Sequence, residues 1–315
     1  MKLIAMKNSD FVIPAKAVIR CCQSTGQRLS PVRRAPMGER IPHSTSCKGF
    51  TLVEMIVVIV ITGIIAGVVA IFIQAPVQGY VDSARRAELT DIADTAVRRM
   101  KRDVRTAVPN SVLLSGACPA CAVEYLPTKD GGRYRADTPG NILNFGVADG
   151  SFDIIGTAIN FAAGAKPDYI VVGSTQSNAV PPYLQTIAGV LRQYTGAAGA
   201  QPTVTFSSTA LPAWAELPSQ RFDVVDGAQQ AVTYRCENVG TVNGTGSGQL
   251  VRYWDYGFGH TVGATKGVLA DKVSGCNMTY SVANQRFGLL SISLTLTSEN
   301  ESVSLYNEIH VNNAP

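Results

Sequence analysis

The sequence contains few of the residues on which catalytic and metal sites usually depend. It has three histidines among 315 residues, and only His260 and His310 lie beyond residue 49. These two are far apart in the chain and lack the spacing of zinc ligands. The glycine-rich segment 243–248 has neither the lysine nor the following helix of a phosphate-binding loop. We therefore predict no catalytic residues, no metal site and no cofactor, and a protein that is not an enzyme.

One acidic segment leaves an alternative open for metal binding. Residues 149–153 read DGSFD, and their two aspartates could ligate calcium. The twelve-residue loop of an EF-hand is missing, however. A plain acidic turn is the simpler interpretation.

Charged residues are also scarce, at 16% of the chain, and they are unevenly distributed. Residues 1–49 hold nine of the 27 basic and two of the 23 acidic residues, so the remainder has 18 basic and 21 acidic residues, net −3. The formal charge of +4 is therefore no evidence for nucleic-acid binding, and we expect none. In a chain that crosses a membrane, a basic segment before the span stays in the cytoplasm. If this chain has such a span, its C-terminal part lies on the other side of the membrane.

Residues 1–36 show neither a clear period nor a conventional secretory signal, because the apolar run is broken and the small-residue cleavage site is missing.

The longest feature of the sequence is an apolar run of 24 residues from Phe50 to Ile73. As a helix this run is roughly 36 Å long, enough to cross a bilayer core of about 30 Å. Glu54 is its only charged residue. A carboxylate in hydrocarbon is costly and is therefore expected to be functional.

The junction before this run resembles the cleavage and methylation site of type IV pilins and type II secretion pseudopilins. Residues 48–54 read KGFTLVE, which matches the basic residue, Gly-Phe junction and glutamate of that superfamily. A bare membrane anchor is the alternative, but it gives no reason for Glu54. The resemblance implies an α+β pilin-like fold, in which a long N-terminal helix packs on an antiparallel β-rich domain.

The resemblance also implies the partners and the site residues. Prepilin peptidase would cut between Gly49 and Phe50 and methylate the new amino group of Phe50. Residues 1–49 would be a cytoplasmic leader. Because leaders of this superfamily are usually shorter, we expect that translation starts at Met37, which gives a leader of 13 residues, and that residues 1–36 are not translated. The mature chain would span the inner membrane once, with its C-terminal domain in the periplasm. Glu54 would pair with the ammonium of a neighbouring subunit and set axial register. A snorkelling residue near the interface is the alternative for Glu54.

An amphipathic pattern follows the apolar run and predicts one continuous helix over residues 50–109, with a transmembrane half at 50–73. Pro109 should stop this helix. The predicted buried stripe recurs at steps of three to five residues: Tyr80, Ala84, Ala87, Ile92, Ala96, Met100, Val104 and Ala107.

Residues 110–315 change to short alternating segments, which predict a β-rich periplasmic domain. The predicted strands are 141–147, 169–173, 204–207, 231–236, 250–256, 278–282, 289–297 and 303–311. The last two form an antiparallel hairpin, because apolar residues alternate on both sides of the turn at 298–302.

Six short motifs in the mature chain are similar to the MshO family of MSHA pilus biogenesis proteins. They are RRMKRDVR at 98–105, AVPNS at 107–111, YRC at 234–236, VSGC at 273–276, the ending HVNNAP, and YVD at 80–82. This resemblance implies a minor pilin that initiates assembly of an MSHA-type pilus, contacts other pilins through the N-terminal helix and reaches the pilus tip. A minor pseudopilin of a secretion system, or a tip adhesin or DNA-binding module, is the alternative.

Four cysteines remain after residue 49, and an even number in an oxidising compartment predicts disulfides. Of the three possible pairings we favour Cys118 with Cys121 and Cys236 with Cys276. The CPAC spacing at 118–121 leaves a redox role as the alternative, but a loop leading into a strand favours a structural staple.

Processing can be tested on the protein isolated from membranes of cells with an active prepilin peptidase. We expect an intact mass and an N-terminal peptide that begin at N-methylated Phe50. A chain that still carries Gly49 would contradict this, and peptides from residues 1–36 in the precursor would contradict a start at Met37.

Overall fold

The computed structural model describes residues 49–175, 189–259, 261–284 and 286–314. The predictions made for residues 1–48 and for His260 fall outside these ranges. The chain divides into a first unit that ends at Thr62 and a second that begins at Gly63.

One helix, α1, runs from Leu52 to Arg105 and continues through Pro76. It ends four residues before Pro109, where the amides of Thr106 and Ala107 bond to carbonyls only three residues back. Helices often tighten in this way at their last turn. The strands that follow are β1 Leu113–Ser115, β2 Ala122–Tyr125, β3 Thr128–Tyr134, β4 Ser151–Ile155, β5 Ile159–Phe161, β6 Tyr169–Val172, β7 Leu191–Gln193, β8 Gly199–Gln201, β9 Thr203–Thr205, β10 Arg221–Val225, β11 Val232–Glu237, β12 Thr241–Val242, β13 Thr245–Gly246, β14 Gly248–Tyr253, β15 Lys266–Asn284, β16 Phe287–Ser298 and β17 Glu301–Asn312.

The first sheet has seven antiparallel strands in the order β1-β2-β11-β14-β15-β16-β17. In β16, every second side chain is fully buried, as the alternating sequence predicts: Leu290, Ile292, Leu294 and Leu296. The predicted hairpin is confirmed by the pairing of β16 with β17. Its turn is tighter than predicted, since only Glu299 and Asn300 stand outside the ladder, both with positive φ, as in two-residue hairpin loops.

The C-terminal part of α1 supplies the other side of this sheet's core. Its buried residues recur at steps of one, three and four, and they cluster with the apolar face of the sheet: Leu89, Ala93, Ala96, Val97, Met100 and Val104. The predicted α+β architecture, a long apolar N-terminal helix followed by an antiparallel β-rich domain, is therefore confirmed.

The first part of the predicted stripe is wrong. Tyr80 is 77% exposed, and Ala84 and Ala87 are exposed as well. The error comes from the five-residue step between Ala87 and Ile92, which turns a helix by about 140° beyond a full turn. That step moves the stripe to the opposite face, so the buried stripe begins at Leu89.

The solvent-facing side of α1 separates its charges along the axis. We call residues 88–105 on this side the charged face. Its acidic residues come first, and its basic residues follow towards the end of the helix: Glu88, Asp91 and Asp94, then Arg98, Arg99, Lys101, Arg102 and Arg105.

A second sheet has six strands in the order β7-β6-β10-β3-β4-β9 and encloses its own core. Aromatic rings dominate that core, and the rings of Phe161 and Tyr194 stack with centroids 4.2 Å apart. A third cluster includes Val171 and Val225 of this sheet together with Leu126 and Ala231, which flank β2 and β11 of the first sheet. We predicted one β-rich region and did not anticipate its division into two large sheets, accompanied by the two-stranded pairs β5–β8 and β12–β13.

Seven of the eight predicted strands overlap a strand of the structure, but residues 141–147 form an irregular segment instead. Carboxylates of nearby residues bind its backbone amides. The amide of Asn141 donates to Asp153, and that of Asn144 donates to Asp149. Side chains that bond locally to the backbone compete with strand pairing in this way.

The corrected stripe can be tested by the same substitution at two alanines of α1. Ala93→Asp should cost about 3–5 kcal/mol of unfolding free energy, because it places an unpaired charge in the core. Ala87→Asp should stay within about 0.5 kcal/mol, because its site is exposed. Urea unfolding of the full chain in detergent micelles, followed by circular dichroism, compares the two. Equal losses would contradict the structure.

Candidate functional site

Gly49 and Phe50 precede the first turn of α1 and have no regular secondary structure. Phe50 is 79% exposed. The peptide bond between them therefore lies outside the hydrogen-bonded helix, where an enzyme that cleaves an extended chain can bind it.

The helix begins with a reciprocal pair of hydrogen bonds between Thr51 and Glu54. The amide of Glu54 donates to the hydroxyl of Thr51 at 3.2 Å, and the amide of Thr51 donates to Glu54 Oε2 at 3.4 Å. This arrangement is a capping box, which satisfies two of the amides that a helix start leaves unpaired. The signal was available in the sequence as Thr-x-x-Glu, but our prediction assigned Glu54 only to a neighbouring subunit.

The capping box determines where the charge of Glu54 lies. The carboxylate is held in the first turn, where the positive end of the helix dipole favours a negative charge. Within the described residues the second oxygen of Glu54 has no hydrogen-bond donor, so it remains available to a cation.

The residues after the capping box form the apolar run. From Leu52 to Ile73 every described side chain is exposed. In the described part of the chain, α1 is long and apolar enough to cross a membrane, judged by its length and composition. This agrees with membrane anchoring through an N-terminal helix.

At the other end, α1 is fixed to the first sheet through Asp103. Asp103 Oδ2 accepts hydrogen bonds from the hydroxyl of Tyr234 at 2.6 Å and from Arg252 Nε at 3.2 Å. The guanidinium of Arg252 also donates to Gln229 and lies 5.1 Å from the ring centre of Trp254. Burial, followed by the bond to Asp103, raises the pKa of Tyr234 well above its ordinary value. Tyr234 therefore remains a neutral donor at physiological pH.

Ion pairs also join α1 to the β16–β17 hairpin, at its turn and at the start of β17. Arg85 pairs with Glu299, and Arg86 Nε lies 2.5 Å from Glu301 Oε2. The hydrogen bond from Arg86 lowers the pKa of Glu301. Because Arg86 is largely exposed, solvent screens this pair, which orients the turn more than it stabilises the fold.

Comparison with protein families gives one match, to the prokaryotic N-terminal methylation motif, over residues 44–70. The match covers the Gly49–Phe50 junction, the capping box and most of the apolar run. It supports the type IV pilin-like class. No curated protein and no solved structure matches the chain.

Such a motif is typical of structural pilin and pseudopilin subunits. It also suggests processing by prepilin peptidase and assembly with other pilins. Both residues of the capping box lie after the expected cut, so the box survives removal of the leader.

The structure brings the four cysteines that follow residue 49 into two neighbouring pairs. Cys118 is bonded to Cys121 and Cys236 to Cys276, and the amide of Cys236 donates to the carbonyl of Cys121 at 3.2 Å. The Cys118–Cys121 pair lies in the turn between β1 and β2 and does not open a helix. It therefore lacks the helix dipole that lowers the thiol pKa in redox motifs.

The carboxylates of the acidic segment 149–153 are occupied by protein donors. Asp149 accepts from the amides of Gly150 and Ser151 and from Asn144, and Asp153 accepts from Asn141 and Thr203. This is the pattern of an acidic turn. The residues that the structure describes contain no group of three potential metal ligands among His, Cys, Asp and Glu.

The anchor at Asp103 can be tested by a matched pair of aspartate substitutions on α1. Asp103→Ala should cost about 3–5 kcal/mol of unfolding free energy, because it leaves the buried guanidinium of Arg252 without its carboxylate. Asp91→Ala should change stability by less than about 0.5 kcal/mol, because Asp91 is exposed. Denaturant unfolding of both variants supplies the comparison, and a small effect at Asp103 would show that the network is not an anchor.

Proposed function

We propose that the chain is a minor pilin-like subunit that helps to initiate assembly of an MSHA-type pilus. The observation that carries the proposal is the methylation motif at residues 44–70, which includes the start and most of the exposed apolar part of α1. An exposed run of this kind needs a lipid or protein environment. A subunit that is held in the membrane before assembly is surrounded by lipid, and in the filament it is surrounded by the helices of other subunits.

In this proposal prepilin peptidase cuts between Gly49 and Phe50, and Phe50 becomes the N-methylated terminus. The new ammonium of Phe50 lies next to the positive end of α1. Its positive charge is unfavourable at that position unless an anion is near. Burial among apolar helices adds a desolvation cost that a partner must offset. Glu54 of an adjacent subunit is that partner. The hydrogen bond from the amide of Thr51 fixes the position of the Glu54 carboxylate before the contact forms.

The proposed location is the inner membrane, crossed once by α1. The excess of basic over acidic residues in residues 1–49 keeps that end in the cytoplasm, so the two sheets lie in the periplasm. The two cysteine pairs fit an oxidising compartment, and we assign them a structural role. After assembly the protein would lie at the pilus tip, because a large domain suits a subunit of low copy number.

The motifs that resemble the MshO family support the MSHA-type role, because the structure brings them together in pairs. Asp103 of the first motif bonds to Tyr234 of the third. Asn110 of the second motif bonds to Asn313 of the ending through its amide and its side chain, and the third and fourth motifs share the Cys236–Cys276 pair. Residues scattered over the mature chain therefore belong to one framework around the end of α1.

The proposed role of Glu54 can be separated from its role in the capping box. Glu54→Gln keeps a side chain that can cap the helix but removes the charge, whereas Thr51→Ala weakens the cap and keeps the charge. We expect Glu54→Gln and Glu54→Ala to abolish incorporation into filaments while cleavage continues, and Thr51→Ala to retain incorporation. Immunoblots of sheared pili and membranes measure both steps. Normal incorporation of Glu54→Gln would overturn the charge pairing.

A minor pseudopilin of a secretion system is the second candidate, because the same methylation motif is found in that class. Deletion of the gene distinguishes the two. Loss of pili with normal protein export supports the pilus role, and loss of export with intact pili supports the secretion role.

A further inference from the structure

The last strand, β17, forms one edge of the first sheet and is long for an edge strand. It has 12 residues and keeps an unshifted register with β16 along its whole length. The other edges of the two large sheets are β1, β7 and β9, and each has 3 residues. Native proteins protect sheet edges by keeping them short or by placing proline, lysine or a bulge in them. Strand β17 has none of these features, and its exposed carboxylate at Glu308 is bonded to the hydroxyl of Tyr306.

The hairpin geometry determines which backbone groups of β17 face outwards. In a two-residue loop the flanking residues, here Ser298 and Glu301, exchange two hydrogen bonds, and bonded pairs then alternate along the strands. The bond from the amide of Asn313 to the carbonyl of Arg286 fits this alternation. The odd-numbered residues of β17 therefore bond to β16, while the even-numbered residues direct their N–H and C=O groups away from the sheet. Within the described structure these outward groups have no strand partner at Ser302, Ser304, Tyr306, Glu308 and His310.

The side chains on the α1 side of this edge are only partly covered. Val303 and Leu305 pack against the core of the first sheet but remain half-buried. Beside them, Lys101 of α1 donates to the side-chain oxygen of Asn307 at 3.4 Å. Among the described residues Lys101 has no ion pair with a carboxylate. A strand added at this edge would cover the apolar residues and could bring an acidic side chain to Lys101.

The direction of α1 bears on whether a second copy of the chain can supply that strand. Arg86 of α1 contacts Glu301 at the start of β17. Further along the helix, Lys101 contacts Asn307. Between these contacts α1 advances about 22 Å and β17 about 20 Å, so the two elements run in the same direction.

A second copy does not fit the edge in either direction. In the described sheets its only edge strand longer than three residues is its own β17. Antiparallel pairing of the two β17 strands would point their α1 helices in opposite directions, whereas copies anchored in one membrane carry α1 in the same direction. Parallel pairing of the same outward groups needs an offset of one residue, which a symmetric dimer does not allow.

We propose that β17 binds an extended segment of a different protein, which adds to the first sheet as a further strand. An extended backbone is the ligand that matches a row of alternating donors and acceptors. The segment would alternate apolar and polar residues, and it would carry an acidic residue at the level of Asn307 for Lys101. This inference deepens the proposed function and rests on it, because the argument against a second copy uses the membrane anchoring of α1.

Hydrogen exchange tests whether the edge is covered when the protein is assembled. The mature chain purified in detergent micelles is compared with the same chain in native membranes and sheared filaments, and peptic fragments are read by mass spectrometry. In micelles the outward amides of β17 should exchange fast and the alternate amides slowly. In the assembled samples the fragment 301–312 should gain protection, while fragments of the short edges β7 and β9 should not change. Equal exchange of the 301–312 fragment in all samples would refute the added strand.

Proline at an outward amide blocks the edge without removing a bond of the sheet itself. Tyr306→Pro should lower the amount of chain in filaments about tenfold or more, because it removes a donor and its ring obstructs a neighbouring strand. Tyr306→Thr is the matched control, since it keeps the amide and should assemble normally. Ser304→Pro repeats the test at a second outward amide. Both proline variants should melt within a few degrees of the parent protein in micelles.

The outcomes separate this inference from the proposed function. Absence of the parent chain from filaments would contradict the proposed function. Normal assembly of the parent and of both proline variants would refute the edge site alone. Light scattering of the mature chain in micelles should show a monomer. A dimer that Tyr306→Pro dissociates would overturn the assignment to a different protein and identify a second copy as the occupant.

Discussion

The packing of residues 89–104 of α1 against the seven-stranded sheet is the interaction on which the rest of the fold depends. Most of the stability of a helix in water comes from burial of one face, and this stripe is the only part of α1 that the described structure buries extensively. Alanines at 93 and 96 let the helix lie close to the sheet, while Asp103 fixes its end through Tyr234 and Arg252. Residues 52–73 have no such packing against the described part of the chain, and a lipid or protein environment would cover their apolar side chains.

Glu54 shows how a single residue can serve two purposes that arise from the same helix start. Its backbone amide and carboxylate complete the box with Thr51, and its charge compensates the positive end of the helix. The hydrogen bond within the box limits the freedom of the side chain before any neighbour arrives. A carboxylate ordered in advance loses less conformational entropy when it meets a cation, which makes the contact more favourable.

Features with local periodicity were predictable from the sequence, and features that depend on distant pairings were not. The apolar run, the C-terminal part of the buried stripe and the β16–β17 hairpin follow from spacing within a few residues. The second sheet was missed because its strands are short and its aromatic core joins segments far apart in sequence. Asp103 meets Tyr234 and Arg252 only through the packing of α1 against β11 and β14, which no local pattern specifies. The capping box was different, since Thr51 and Glu54 are three residues apart and could have been recognised.

The charged face of α1 has an electrostatic consequence for two copies of the helix that lie side by side and point the same way. At equal height, acidic residues would face acidic residues and basic residues would face basic ones. A slip of about ten residues, roughly 15 Å, would instead bring acidic residues opposite basic residues. The ion pair between Asp94 and Arg98 within one helix reduces the electrostatic advantage of the slipped arrangement but does not reverse it. Because the Debye length is about 10 Å at 0.1 M salt, dilute buffer would favour the slipped arrangement and concentrated salt would erase the difference.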